Sequence, residues 1–160
     1  CVLMGAERIV VADVIDRRLE KALQLGAWHV INGRKEDTVD RSRALFGGDG
    51  ADIVFETAGS RVTAMQSFAS VRRGGEVMIV GTIPGETPVD FLKINREVKV
   101  QTVFRYANNF PMTIQAISSG RFDVLTMVTD EYTYEDVQKA FEESLSRKAE
   151  IIKGVIKISD

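Results

Sequence analysis

The chain has 160 residues, 44% of them hydrophobic and 28% charged, and its formal net charge is −2. This length and composition predict one domain with its own core, and the near balance of charge argues against nucleic acid or an anionic membrane as the main partner. No apolar run approaches the ~18 residues of a membrane span, and no positively charged leader precedes an apolar segment.

Short apolar strands alternate with helical segments through the first two thirds of the chain. Apolar runs predict strands at 8–13, 28–31, 51–57, 76–81 and 98–104, and helical spacing predicts helices at 16–25, near 37–46 and near 62–69. RRGG at 72–75 is expected to break the third helix. Strands that are apolar on both faces and separated by helices indicate a parallel sheet covered on both sides. Right-handed crossovers then predict a doubly wound, Rossmann-like α/β fold.

The pattern changes near residue 111. A helix at 111–119 is expected to end at Gly120, and an extended segment is predicted at 125–134. Thr133 and Asp136 resemble a capping box that opens a further helix. The core face of that helix is predicted to be Val137, Ala140, Phe141 and Leu145, and a half-exposed strand with Ile152, Val155 or Ile156, and Ile158 is expected to end the chain.

The counts of cysteine and histidine limit the chemistry of the chain. A single cysteine, Cys1, excludes an internal disulfide and fits a reducing compartment, so a cytoplasmic location is expected. With His29 as the one histidine, the chain lacks the residues of an ordinary zinc site, and no metal ligand is assigned. The first residue is not Met and no capping or turn signal precedes CVLMGAERI, so we expect a piece of a longer protein.

Asp13 stands at the end of the first predicted strand. In a dinucleotide-binding sheet an acid at this point accepts hydrogen bonds from the adenosine ribose and repels the extra phosphate of NADP. The alternative is that Asp13 only caps the helix that follows it. Arg17 and Arg18 come next, and they either approach the adenosine end of a cofactor or are solvated helix charges.

The glycine-rich fingerprint of dinucleotide-binding sheets is absent from the chain. GGDG at 47–50 does not qualify, because it precedes a strand instead of following one. If 8–13 is the second strand of such a sheet, the fingerprint, the pyrophosphate cradle and the first strand all lie upstream of Cys1.

Three further motifs follow predicted strands. ETAG at 56–59 and VGTIPG at 80–85 place glycines where ligands of open α/β sheets bind, although either could hold simple turn glycines. VFRYANNFP at 103–111 follows the fifth strand, where Arg105 offers a fork of donors and Tyr106 a ring with one polar tip. The alternative is a surface corner with Arg105 stacked on Tyr106 and Asn108 capping the next helix.

These runs together resemble a known enzyme family. GAERIVVADVIDRRLEKALQLGAWHVIN at 5–32, ADIVFETAG, GGEVMIVG and above all INREVKVQTVFRYANNFPMTIQAISSG at 94–120 are similar to the zinc-dependent polyol dehydrogenases of the medium-chain dehydrogenase/reductase superfamily. Sorbitol and xylitol dehydrogenases are the nearest in pattern, and the resemblance covers essentially the whole chain. It implies a partial dinucleotide-binding domain at 1–120 and a segment at 121–160 that packs against an absent N-terminal catalytic domain.

The resemblance also implies roles for individual residues. Enzymes of this family pass a hydride from an alcohol to NAD while zinc polarises the alcohol. The cofactor-binding residues implied here are Asp13, Arg18, Thr57, Val80, Gly81, Thr82, Val103, Phe104 and Arg105. Arg105 and Tyr106 would also reach the hydroxyls of a polyol substrate.

The departures from the family pattern limit what this chain can do alone. The family's zinc ligands, a cysteine, a histidine and a glutamate, belong to the absent N-terminal domain, and neither Cys1 nor His29 corresponds to them. No residue of this chain is assigned a catalytic role, and we expect the chain by itself to be inactive. The resemblance further implies a homodimer or homotetramer in the full-length form. Threonine dehydrogenase, alcohol dehydrogenase and a non-catalytic nucleotide-binding module remain alternatives, as does some use of NADP.

Overall fold

Two groups of elements make up the fold, in a computed structural model that describes residues 1–94 and 97–159. The first unit comprises Cys1–Asn32 and Asn109–Asp160, and the second comprises Gly33–Asn108. Asn95 and Arg96, which belong to the family-like run, lie outside the described residues. The domain division predicted at residue 120 stays a prediction.

The first unit begins with one strand–helix–strand segment. Strand β1 (Val10–Asp13) leads into helix α1 (Asp16–Gln24) and strand β2 (His29–Asn32), and the two strands pair in parallel from Val10↔His29 to Asp13↔Asn32. Helix α1 contacts both strands. Leu19 and Ile31 are buried and form the local core, whereas Leu23, which shares the predicted helical spacing with Leu19, is 47% exposed.

The second unit is a three-stranded parallel sheet with helices. Its elements are α2 (Thr38–Leu45), β3 (Ala51–Glu56), α3 (Arg61–Ser70), β4 (Val71–Ile79), α4 (Phe91–Ile94) and β5 (Lys99–Thr102). The strand order is β3-β4-β5. Helix α3 contacts α2, β3 and β4, and the fully buried side chains of Val71 and Val77 lie in the sheet.

One sequence expectation about this unit is wrong. RRGG at 72–75 does not separate α3 from β4, because the helix ends at Ser70 and the strand already begins at Val71. The pairing of β4 with β3 shifts register across RRGG, with Gly74 at φ 66°, so the motif is an irregularity inside the strand. Within α3, Val62 and Met65 are exposed, and the buried positions are Ala64, Ser67 and Ser70.

The remaining part of the first unit carries α5 (Phe110–Ser118), β6 (Val128–Thr133), α6 (Val137–Ser146) and β7 (Lys153–Lys157). Strands β6 and β7 pair in parallel. The extended segment predicted at 125–134 is shorter, because Leu125–Met127 form a 3₁₀ turn before β6. The predicted capping box is wrong: a 3₁₀ turn follows Thr133, whose hydroxyl meets the Asp136 carboxylate at 3.3 Å instead of capping α6.

The predicted core face of α6 is only partly correct. Ala140 is buried and Val137 half-buried, but Phe141 and Leu145 are exposed. A salt-bridge network holds this region instead: the Arg147 guanidinium lies 3.0 Å from the Asp130 carboxylate on β6 and 2.8 Å from that of Glu143 on α6. The hydroxyl of Tyr132 donates to the same Glu143 at 2.9 Å. Ion pairs and one phenol therefore join helix to sheet.

The topology agrees with the predicted doubly wound fold that lacks its first strand. The complete doubly wound sheet has six parallel strands in the order 3-2-1-4-5-6. Without its first strand, that sheet consists of one pair of strands (3-2) and one group of three (4-5-6). The described residues contain such a pair, β1-β2, and such a triple, β3-β4-β5. Coverage on both faces fails for β5, in which all four residues are exposed, and for β3, in which Ile53 and Phe55 are each 48% exposed. Among the described helices, none has the length and apolarity that a membrane crossing requires.

Candidate functional site

The carboxyl ends of three parallel strands form one edge of the second unit. The loops after β3, β4 and β5 carry most of the predicted cofactor residues, namely Thr57, Val80, Gly81, Thr82, Val103, Phe104 and Arg105, together with Tyr106. Main-chain hydrogen bonds continue past the strand ends, since Val80 N and Gly81 N donate to Glu56 O at 2.8 and 2.9 Å and Val103 N donates to Ile79 O at 2.8 Å. These bonds hold the three loops side by side, and we call this edge the loop rim.

Glycines allow the first two loops of the rim to touch. A Cβ on Gly81 would collide with Gly59 N, and a Cβ on Gly59, whose φ is 70°, would lie 2.8 Å from Thr82 O. The sequence suggested that these glycines admit a flat ring of a ligand. The structure shows a different physical reason, because the space that each Cβ would take is filled by the opposite loop.

The side chains on the first two loops face outward. Thr57 and Thr82 are exposed, and 41% of Val80 is exposed. Next to the loop after β4, an open cavity of about 460 Å³ is lined by Arg61, Glu86, Thr87 and Pro88. The rim therefore exposes one apolar side chain and two hydroxyl groups, which together suit a ring with a polar substituent.

The third loop has an unusual backbone. Arg105 and Asn108 lie in the left-handed region, with φ of 56° and 58°, which costs free energy in residues other than glycine. The Arg105 guanidinium lies 5.4 Å from the centroid of the Phe104 ring. Phe104 is 87% exposed and Tyr106 65% exposed, so both rings lie mostly at the surface.

The alternative interpretation of this loop is corrected in both parts. The Arg105 guanidinium lies over the ring of Phe104, and it does not stack on Tyr106 as predicted. Asn108 does not cap α5, because the residue at the N-cap is Asn109, and no side-chain hydrogen bond caps that helix. The functional assignment of Arg105 and Tyr106 stays a prediction.

Asp13 and Arg18 lie together in the first unit. Asp13 is the last residue of β1, and its Oδ1 accepts hydrogen bonds from Val14 N at 2.6 Å and Ile15 N at 3.0 Å. Its Oδ2 lies 3.6 Å from the Arg18 guanidinium, which also donates to Lys148 O. One carboxylate oxygen therefore shapes the turn before α1, and the other faces a cation at a partly exposed position.

Glu56 is the residue that sequence reasoning missed. It ends β3 and is 2% exposed, and its carboxylate oxygen Oε1 accepts three hydrogen bonds from the start of the next loop and helix. Its other oxygen, Oε2, is buried and has no hydrogen-bond partner among the described residues. The sequence does contain a pattern that indicates this role. An acid ends an apolar run, and four residues later Ser60 begins a Ser-x-x-Thr motif that is typical of a helix start.

Four side chains on the C-terminal elements of the first unit have a pKa that departs from its ordinary value. The hydrogen bond from Tyr132 and the bonds from Arg147 lower the pKa of Glu143 below its usual value. Burial, and next the bond to Glu143, raise the pKa of Tyr132. Hydrogen bonds to Glu150 and Glu143 raise the pKa of Arg147. Glu135, nearby, has its pKa lowered by hydrogen bonds to its own backbone N–H and to Thr133. These shifts accompany an ion-pair network within the fold.

The described residues do not form a metal-binding cluster. In residues 1–94 and 97–159, no three side chains of His, Cys, Asp or Glu converge to hold a metal ion. Cys1 is exposed, and its thiol is free.

Known proteins are similar to this chain in sequence and in fold. The family model described as zinc-binding dehydrogenase matches residues 1–119. An uncharacterized zinc-type alcohol dehydrogenase-like protein of Escherichia coli K12, YdjJ, is 62% identical over all 160 residues, and they make up 46% of that protein. A sorbitol dehydrogenase of Bacillus subtilis strain 168 is 38% identical over 156 residues, which are 95% of this chain and 44% of that enzyme.

A solved structure matches equally well. The crystal structure of ECK1772 from Escherichia coli, described as an oxidoreductase/dehydrogenase of unknown specificity involved in membrane biogenesis, superposes with a TM-score of 0.96 at 62% identity. All of this chain and 46% of that chain are covered, so the chain spans about half the length of the relatives it matches. The predicted fold class is confirmed. The chain, with its parallel sheets and its loop rim, belongs to the zinc-binding dehydrogenase family.

Proposed function

We propose that this chain is the cofactor-binding part of an NAD-dependent oxidoreductase that moves a hydride from a polyol of the sorbitol or xylitol type to NAD. The observation that carries the proposal is the loop rim, where the ends of three parallel strands hold Val80–Thr82 and Val103–Tyr106 side by side. Ligands of open α/β sheets bind at such ends. Zinc is proposed to be held by the remaining part of the whole protein.

Asp13 fits the adenosine end of NAD. Its Oδ1 is already used by the turn before α1, but Oδ2 is oriented toward Arg18 on a side chain that is 26% exposed. A carboxylate there accepts a hydrogen bond from the 2′-hydroxyl of the adenosine ribose and opposes a 2′-phosphate by charge. Arg18, held against Asp13 and Lys148 O, keeps the carboxylate in place.

The loop rim fits the nicotinamide end. Val80 presents apolar surface to a ring, and the hydroxyl of Thr82 is available to a polar substituent because Thr82 is exposed. A nicotinamide bound there would supply the acceptor for the hydride of the alcohol carbon. The residues of this chain bind and orient, and none of them is proposed to transfer the proton.

Arg105 and Tyr106 are proposed to contact the polyol. A guanidinium donates several hydrogen bonds in a fixed geometry, which matches neighbouring hydroxyls on a sugar alcohol better than the single hydroxyl of a simple alcohol. The 38% identity to a protein named sorbitol dehydrogenase supports this choice over threonine or simple alcohols.

Assembly and location complete the proposal. Strand β5 has one paired edge and four exposed residues, and an unpaired strand edge favours pairing with another chain. We therefore propose a homodimer or homotetramer for the whole protein. A cytoplasmic location is proposed from the single cysteine.

The proposal is tested by turnover of the complete polypeptide that carries this chain. With NAD and zinc, we expect kcat/KM for sorbitol or xylitol to exceed that for L-threonine and ethanol at least ~10-fold, since a mismatched polar pocket costs more than 1.4 kcal/mol. The 160-residue chain assayed alone is expected to give no turnover. A preference for threonine or ethanol contradicts the polyol part, and no turnover with any alcohol favours the non-catalytic alternative.

Exchanging Asp13 for Asn tests the cofactor part. Asn keeps an oxygen for Val14 N and Ile15 N but removes the charge that binds the ribose and opposes a 2′-phosphate. In the complete polypeptide, the NAD-over-NADP ratio of kcat/KM is expected to fall ~10- to 100-fold, as for the loss of charged hydrogen bonds. Asp16→Asn is the control, because Asp16 is a neighbouring carboxylate that accepts from Asn32. An unchanged ratio in Asp13→Asn would contradict the assignment.

A further inference from the structure

Glu56 joins two loops of the rim through one residue. Its main-chain oxygen accepts from Val80 N and Gly81 N, on the loop after β4. Its carboxylate Oε1 accepts from Ala58 N at 3.0 Å and Gly59 N at 2.9 Å, on the loop after β3. The conformations of both loops therefore depend on the position of this single residue.

The carboxylate is also tied to the start of α3. Thr63 Oγ1 donates to Glu56 Oε1 at 2.6 Å, and Ser60 caps the same helix by accepting from Thr63 N at 3.1 Å. A negative charge near a helix N-terminus is stabilised by the helix dipole and by unpaired N–H groups. Glu56 thus fixes the loop at both ends, at the strand and at the helix.

The burial of the second carboxylate oxygen does not stabilise the fold. Within residues 1–94 and 97–159, Oε2 is buried without a hydrogen-bond partner, although a buried unpaired polar atom lowers stability. It lies under the contact between the loops, because a Cβ on Gly81 would come within 2.5 Å of it. Packing alone does not account for a carboxylate oxygen buried under the contact between the loops. Its position therefore points to a requirement on the shape of the loop rim.

We propose that Glu56 is a positioning residue for the nicotinamide cofactor, which shapes the loop 57–60 and the strand end at Val80–Thr82 without touching the ligand. The inference rests on the proposed function, in that the rim must bind a nicotinamide. It assigns cofactor affinity, and not substrate affinity, to a buried side chain.

The test compares cofactor and alcohol affinity in variants of the complete polypeptide. Glu56→Ala removes the acceptor of three hydrogen bonds, and we expect the Kd for NADH, measured by fluorescence titration, to rise at least ~10-fold. The KM for the alcohol is expected to stay within about twofold, because the carboxylate acts on the cofactor loops. Glu56→Gln keeps an oxygen acceptor of the same reach and is expected to restore most of the affinity.

Two further variants keep the test decisive if Glu56→Ala does not fold. Thr63→Val removes one of the three donors to Oε1 and is expected to raise the NADH Kd about threefold with the alcohol KM unchanged. Asp130→Ala is the matched control, because Asp130 Oδ2 is the other buried carboxylate oxygen that has no partner among the described residues. Asp130→Ala is expected to lower the melting temperature while leaving the NADH Kd of the folded protein as it was.

The outcomes separate this inference from the proposed function. An unchanged NADH Kd in both Glu56→Ala and Thr63→Val, or an equal rise in the alcohol KM, overturns the positioning role while the proposed function stands. An equal rise of Kd in Asp130→Ala shows a general effect of destabilisation and also overturns it. If the parent polypeptide binds neither NADH nor NADPH, the proposed function fails and this inference fails with it.

Discussion

Replacing Arg105 by Asn in the complete polypeptide is expected to lower kcat/KM for sorbitol or xylitol about 100-fold. Charged hydrogen bonds are worth ~1.5–3 kcal/mol each, which corresponds to roughly 10- to 150-fold. The kcat/KM for ethanol is expected to change less than about fivefold, since ethanol lacks the additional hydroxyls. Turnover with both alcohols, measured at saturating NAD, gives the comparison.

The left-handed backbone of Arg105 makes Asn the informative replacement. Asn tolerates a φ near the observed 56° better than Ala does, so Arg105→Asn removes the guanidinium while preserving the loop. Arg105→Gly relieves the backbone completely, and it is expected to be as poor on the polyol as Arg105→Asn but somewhat more stable. An Arg105→Gly variant that retains polyol turnover would show that the guanidinium is not needed.

Arg121→Asn provides the matched control for a lost surface charge. Arg121 is exposed and lies outside the loop rim, on the segment after α5. We expect its replacement to leave both alcohols within about twofold of the parent, as is usual for exposed positions. A loss on the polyol as large as that in Arg105→Asn would trace the effect to net charge and contradict the assignment.

The alternation of strands and helices could be predicted because burial determines it. Buried parallel strands need runs of apolar residues, and the helices between them need one apolar face, so both periods are visible in the sequence. The same rule failed at β5, where Val100 is 49% exposed in spite of its apolar run. An apolar run indicates that a strand will be covered, but it does not indicate whether the cover belongs to the same chain.

Two acids at strand ends show where sequence reasoning about the site stops. Asp13 and Glu56 each end an apolar strand, and each is followed by a helix. Asp13 keeps 26% of its side chain exposed, whereas Glu56 is 2% exposed and turned into the loop after its strand. The difference in exposure depends on which hydrogen-bond donors the following loop places near the carboxylate. That placement is set by the folded loop and cannot be read from the residue type and its position in the sequence.

Gly81→Ala is expected to raise the NADH Kd at least ~10-fold and to destabilise the protein by ~1–3 kcal/mol, as overpacking usually does. The backbone of Gly81 is not in the left-handed region, so the effect comes from the added methyl group alone. That methyl would collide with Gly59 N and approach the Glu56 carboxylate, both of which belong to the opposite side of the loop contact. Fluorescence titration with NADH and urea unfolding measure the two effects.

Gly154→Ala is the control for adding a methyl group at a glycine. Its Cβ would meet Tyr132 at 3.4 Å and Ile151 at 3.9 Å, which is ordinary van der Waals contact, and its φ is also outside the left-handed region. We expect the NADH Kd of this variant to lie within about twofold of the parent. A Gly81→Ala protein with equally unchanged affinity would show that contact between the first two rim loops does not govern cofactor binding.

The double variant Glu56→Ala with Gly81→Ala connects the two results. If the carboxylate and the glycine act on one contact between the loops, their effects on the NADH Kd will not add, because removing the side chain of Glu56 removes one of the groups that the new methyl meets. We expect the double variant to bind NADH more tightly than the product of the two single effects predicts. Additive effects would mean that each residue acts on the cofactor site by a separate route, and that Oε2 is not part of the loop contact.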